Sequence, residues 1–122
     1  MKFRGICLIT NDVPKLRDFY TTVLGVAAEG DSEHVELYTE GVSIAIFSTN
    51  GMERMAPKSM CGVGSGNITI GFEVHDVDAE FERIKNNDVD IVMLPKTHPW
   101  GYRSFWFRDP DINIVDFFVK VS

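Results

Sequence analysis

Two short segments of the chain share one wording. Ile6-Cys-Leu-Ile-Thr-Asn-Asp-Val13 and Ile70-Gly-Phe-Glu-Val-His-Asp-Val77 are each an apolar run that closes on a polar residue, Asp and Val. An amphipathic helix pattern follows each of them. A chain that repeats one unit folds as two copies of one supersecondary structure, and this constrains the architecture more than composition does.

In the first copy, Asn11 or Asp12 caps a helix and Pro14 suits its first turn. Val13, Leu16, Phe19, Tyr20, Val23 and Leu24 recur at helical spacing, and Gly25 supplies a left-handed stop. HVELYT and VSIAIFS, either side of Glu40-Gly41, read as a hairpin. In the second copy, Asp76 or Asp78 caps a helix whose apolar face is Val77, Phe81 and Ile84, and Asn86-Asn87-Asp88 ends it. DIVML, RSFWFR and NIVDFFV then read as three strands. The expected fold class is α+β: two βαβββ modules forming a cupped mixed sheet, with the helices on its outer face. Module one is expected over 1–50, a linker over 51–66 and module two over 67–122, all in one domain. The joining stretch, rich in Gly and Met with one Pro, reads as a mobile loop.

The 122 residues suffice for one buried core. A net charge of −6, with no Lys/Arg cluster among the aromatics, excludes nucleic acid and anionic membrane as expected partners. The N-terminal apolar run is too short for a signal or a membrane span. Cys7 and Cys61 therefore read as free thiols in a reducing compartment, and a cytoplasmic location is expected.

Two stretches carry a family resemblance: NDVPKLRDFYTTVLGV (Asn11 to Val26) and PWGYRSFWFRDPDINIVDFF (Pro99 to Phe118). In them the chain resembles the vicinal oxygen chelate superfamily of glyoxalases, extradiol dioxygenases and the fosfomycin- and bleomycin-resistance proteins. The second stretch is most similar to the bleomycin-resistance branch. The resemblance implies paired βαβββ modules around a ligand cup, usually completed in a homodimer. In metal-dependent members it also implies four His, Gln or Glu ligands from the first and last strands of each module. Here those positions fall on Gly5, Ala45, Thr69 and Asp116. Gly and Ala offer no donor atom and Thr is a poor ligand for a transition metal, so no metal and no other cofactor is expected. Such relatives often have Gly where this chain has Ile112, and a β-branched residue dislikes positive φ. The Asp109–Asn113 turn is therefore expected to differ in shape.

Strand parity sorts the rest. Ile6, Leu8, Ile44, Ile46, Ile70, Phe72, Val74, Val115 and Phe117 make an apolar set that belongs under the helices. The opposite parity mixes polar and aromatic groups, as small-molecule sites do. It supplies the candidate ligand-binding residues Asp116, Glu73, Cys7, Thr69, Phe47, Phe118 and Ile114. Trp100 joins them through the resemblance, by analogy with an aromatic clamp. Each has a plainer reading: Asp116 bonded to a polar neighbour, Glu73 a strand-end charge in solvent, Cys7 a packed thiol and no nucleophile. His34, His75 and His98 are expected at the surface or in loops, and Met52, Met55 and Met60 as a lid or as loop hydrophobes. The leading expectation is a metal-free, non-enzymatic homodimer that sequesters a small aromatic or cationic molecule such as an antibiotic or toxin. The alternative is a metal-dependent glyoxalase-like lyase, isomerase or dioxygenase with ligands from other positions. A third reading is a regulatory domain with a vestigial cup.

Overall fold

The computed structural model describes all of residues 1–122. Its elements run β1 (Cys7–Thr10), α1 (Val13–Leu24), β2 (Ala27–Gly30), β3 (His34–Tyr38), β4 (Ile44–Ser48) and α2 (Thr49–Met55). They continue with β5 (Thr69–Glu73), α3 (Val77–Ile84), β6 (Asp90–Thr97), β7 (Tyr102–Arg108) and β8 (Ile114–Lys120). The two βαβββ modules are present. Hydrogen bonding resolves the expected sheet into two four-stranded mixed sheets, ordered β1-β4-β3-β2 and β5-β8-β7-β6. The first and last strands of each module pair in parallel and the others antiparallel. The chain divides into two compact units, Met1–Val63 and Gly64–Ser122. No helix is long and apolar enough to cross a membrane.

In the first unit, the Asp12 side chain accepts from Lys15 N, Pro14 lies in the first turn, and Gly25 closes α1 at φ 65°. Val13, Leu16, Tyr20 and Val23 are buried on α1, as are Leu8, Val35, Leu37, Ile44 and Ile46 on the sheet. This one dry face is what the helical stripe and strand parity together demand.

In the second unit, Asp76 caps α3 through Ala79 N, and Asp88 takes φ 56° just beyond the helix end. The core is aromatic. Phe117 packs edge-on against Phe105 at 5.5 Å and Phe107 at 5.1 Å, and Phe81 reaches down from α3 to Phe105 at 5.4 Å. Arg103 on β7 holds Asp78 at the start of α3 with two hydrogen bonds of 2.8 and 2.7 Å.

Four expectations need correction or completion. The βαβββ pattern requires a strand between α1 and β3 but does not place it, because AAEG has neither alternation nor β-branched residues. A turn makes it: Asp31 accepts from Glu33 N and His34 N, and a side chain at Gly30 would collide with the His34 carbonyl. The stretch read as a mobile loop begins instead with α2, which overruns the expected module boundary at residue 50. Ser48 Oγ caps this helix by accepting from Gly51 N at 2.8 Å, and Gly51 is buried because the Phe47 ring lies on it. Beyond α2, the Glu53 carboxylate accepts from Lys58 N and Met60 N, which folds that segment back on the helix.

Ile112 is the third correction. Its turn keeps the glycine-like conformation with isoleucine in it, at φ 62°. Asp109 Oδ1 accepts from Asp111 N and Asn113 N, Oδ2 accepts from Asn113 Nδ2, and Arg108 Nη1 donates to Ile112 O at 2.8 Å. This network fixes the backbone and overrides the side chain's preference. Ile112→Gly should therefore stabilise the protein by about 1 kcal/mol net of glycine's entropy, read as a rise of about 4 °C in Tm. The fourth correction, the burial of His98, belongs to the site.

Candidate functional site

On β8 the alternation separates Val115 and Phe117, which are buried, from Ile114, Asp116 and Phe118, which are partly open. On β5 it puts Thr69, Gly71 and Glu73 on that same open face. The parallel register sets Thr69 opposite Ile114, Gly71 opposite Asp116 and Glu73 opposite Phe118. Five sequence candidates thus share one patch of the second unit, with a bare glycine beside the carboxyl. Across β8 on the other side, Trp106 stands opposite Asp116 and Ser104 opposite Phe118.

Asp116 is an acid in an awkward place. Burial raises its pKa, and the Trp106 indole N–H and the nearby His98 pull it back only in part. The indole lies near enough to favour the charged carboxylate, but its geometry falls short of a hydrogen bond. Neither Trp106 Nε1 nor Asp116 Oδ1 has a partner in the protein. An unpartnered buried polar atom costs stability, so such pairs mark function or strain.

An acid whose folded pKa is raised favours folding below its unfolded pKa, and that contribution is lost as pH rises through the folded value. At neutral pH the Asp116 charge therefore opposes folding. Asp116→Asn should raise stability at pH 7 by about 0.5–1 kcal/mol, a small gain because the residue is partly open to water. Denaturant titrations should show the gain shrinking as the pH falls toward about 4 and absent below it, where the carboxyl is neutral in the folded and unfolded chain alike.

His98 was expected at the surface or in a loop; it lies in the turn after β6, but buried, at 8% exposure. The turn after β6 brings it inward: His98 N donates to Tyr102 O at 2.7 Å and Gly101 N donates to His98 O at 3.0 Å. Its Nε2 sits 2.7 Å from Ser104 Oγ. Trp100 stacks flat on the imidazole at 4.6 Å and 5° while remaining 70% exposed. Trp100 is thus tied to the Asp116 neighbourhood through His98. Pro99 and Gly101, which flank Trp100 in sequence, signal the turn, but nothing local signals the burial.

Cys7 and Phe47 lie in the first unit, on the matching face of β1 and β4, where Cys7 pairs with Ala45 and Ile9 with Phe47. Sequence reasoning missed Glu36 on β3. Val35 and Leu37 are buried, so Glu36 faces the open side, opposite Ala45. It accepts from Ser43 Oγ at 3.2 Å, and His34 Nε2 lies 3.7 Å from its other oxygen. Alternation in HVELYT would have found it. Cys7 reaches solvent, yet crowding of its sulfur and then the Glu36 charge raise its thiol pKa. A thiol held protonated is a poor nucleophile.

The two modules differ at the strand positions where donors would stand. Ala45 stands opposite Cys7 as Asp116 stands opposite Gly71, so the two occupy equivalent places in the two modules. One has a carboxylate and the other has a methyl group. No three His, Cys, Asp or Glu side chains gather closely enough to hold an ion.

A family model described as "Glyoxalase/Bleomycin resistance protein/Dioxygenase superfamily" matches residues 2–117. The chain is 27% identical to the uncharacterized protein YraH of Bacillus subtilis (strain 168), over 97% of this chain and 98% of that one. Among solved structures, it matches a glyoxalase/bleomycin resistance protein/dioxygenase family enzyme from Burkholderia phytofirmans PsJN with a TM-score of 0.86 at 15% identity, covering 97% of this chain and 98% of that one. A glyoxalase/bleomycin resistance protein/dioxygenase from Nocardioides matches with a TM-score of 0.83 at 20% identity, covering 100% of this chain and 85% of the other. At these identities the structures share the fold.

Proposed function

We propose, for a chain that belongs to the Glyoxalase/Bleomycin resistance protein/Dioxygenase superfamily, the role of a metal-free binding protein for a small, partly aromatic organic molecule. It works as a cytoplasmic homodimer that sequesters its ligand, in the manner of resistance proteins. The observation that carries this reading is the pair of unpartnered polar atoms, Asp116 Oδ1 and Trp106 Nε1, on a mixed polar and apolar sheet face. A site with a few convergent polar groups among apolar walls suits ligand capture. The donor-poor positions Gly5, Ala45 and Thr69 turn the reading away from lyase or dioxygenase chemistry.

The test has two arms. Protein refilled with Zn²⁺, Ni²⁺, Mn²⁺ and Fe²⁺ and then desalted should retain far less than one ion per chain. Near-stoichiometric metal would overturn the reading and restore the metal-dependent enzyme. A thermal-shift screen of aromatic and cationic small molecules should then yield ligands, since binding to the folded state raises Tm. Asp116→Ala should keep the fold and weaken those ligands by about tenfold. Unchanged affinity would remove Asp116 from the site.

A further inference from the structure

The two unpartnered atoms are of opposite kinds. Asp116 Oδ1 accepts a hydrogen bond and Trp106 Nε1–H donates one. Their residues are register partners on β8 and β7, so the side chains leave the sheet together on one face. A lone acceptor suits any ligand donor. An adjacent acceptor and donor suit a group that presents the reverse order in one plane.

We propose that Asp116 and Trp106 recognise a neutral cis-amide edge, as in a lactam or a primary carboxamide. The ligand N–H donates to Asp116 Oδ1 and the ligand carbonyl oxygen accepts from Trp106 Nε1–H. This rests on the metal-free binding role above and names the class of its ligand.

Three observations support the choice. First, an amide satisfies both orphan atoms at once, whereas an ammonium group would satisfy Asp116 and leave the indole N–H pointing at a cation. Second, burial disfavours the charged carboxylate, which moves preference from cations toward neutral donors. Third, the strand beside Asp116 carries no side chain at Gly71, and Ile114 and Phe118 flank the carboxyl along β8 as apolar walls for a flat body. Solvent touches neither orphan atom, so binding replaces side chains that now cover them.

The test uses protein carrying ¹⁵N-labelled tryptophan. Its two indole N–H resonances belong to Trp100 and Trp106 and are assigned with Trp100→Phe. The probes are 2-quinolone, N-methyl-2-quinolone and the cation 4-aminoquinoline. The expected result is a downfield shift of the Trp106 indole proton with 2-quinolone, and affinity about tenfold or more above that for the N-methyl analogue. The preference should vanish in Asp116→Ala and survive in Asp116→Asn, which keeps an acceptor oxygen. Equal affinity for the two quinolones overturns the proposal, as does binding that leaves the Trp106 resonance unmoved, or no binding by any probe. Binding by the cation alone also overturns it, while leaving the sequestering role intact.

Discussion

Phe117→Ala should cost about 3–5 kcal/mol, a large share of the stability margin of a domain this size. Phe117 is 2% exposed and lies on β8, between β5 and β7. Its ring meets Phe72 at 5.9 Å, Phe105 at 5.5 Å and Phe107 at 5.1 Å, each near perpendicular. The three rings that meet Phe117 edge-on are fixed by their own packing and cannot slide together to fill the void, so the cavity persists and its cost adds to the lost burial. The control is the next residue. Phe118 points to the opposite, half-open face, where its ring neighbour is Tyr102, tilted at 5.9 Å. Phe118→Ala should cost about 1 kcal/mol. Urea titrations of the two variants measure the difference. Equal losses would show that the dry and open faces of β8 have been confused.

That contrast also shows how far the sequence can be read. Strand parity in NIVDFFV separates Phe117 from Phe118, because alternation is a local property of extended chain. Helix α1 was equally legible, since its cap, stripe and glycine stop are all local signals. What escaped is what depends on distant partners. Strand β2 exists because Tyr38 and Leu37 pair with Ala27 and Ala28, not because AAEG favours extension. Helix α2 starts where Ser48 caps it and tolerates Gly51 because Phe47 needs the space. Ile112 is forced to positive φ by hydrogen bonds converging on Asp109, a constraint invisible in the isoleucine itself.

The candidate site divides the same way. Asp116 stood out as a carboxylate inside an apolar strand. That Trp106 faces it depends on the β7–β8 register, and strand β6 beyond shifts register twice, so counting residues would not have found the pair's surroundings. His98 looked like a turn residue and became a buried support for Trp100 only through Ser104, a β7 residue with no distinguishing local pattern.

Gly71→Leu should weaken binding of any ligand found for the site by roughly tenfold to a hundredfold, without harming the fold. Gly71 is exposed on β5 opposite Asp116, and its backbone is outside the left-handed region, so an L side chain fits the strand. A Cβ there would approach Phe118 Cε1 to 3.2 Å, and the half-open Phe118 ring can turn to admit it. Leucine also restores the side chain that a strand interior prefers, so stability should hold or rise slightly. What changes is the space beside the carboxyl, which the leucine takes. Asp116→Ala and Gly71→Leu thus remove polar recognition and room separately, and a ligand seated at this face must respond to both. A ligand that weakens with Asp116→Ala but ignores Gly71→Leu would touch the carboxyl from the β7 side alone. One that ignores both would bind elsewhere on the protein, and the face around Asp116 would lose its functional assignment.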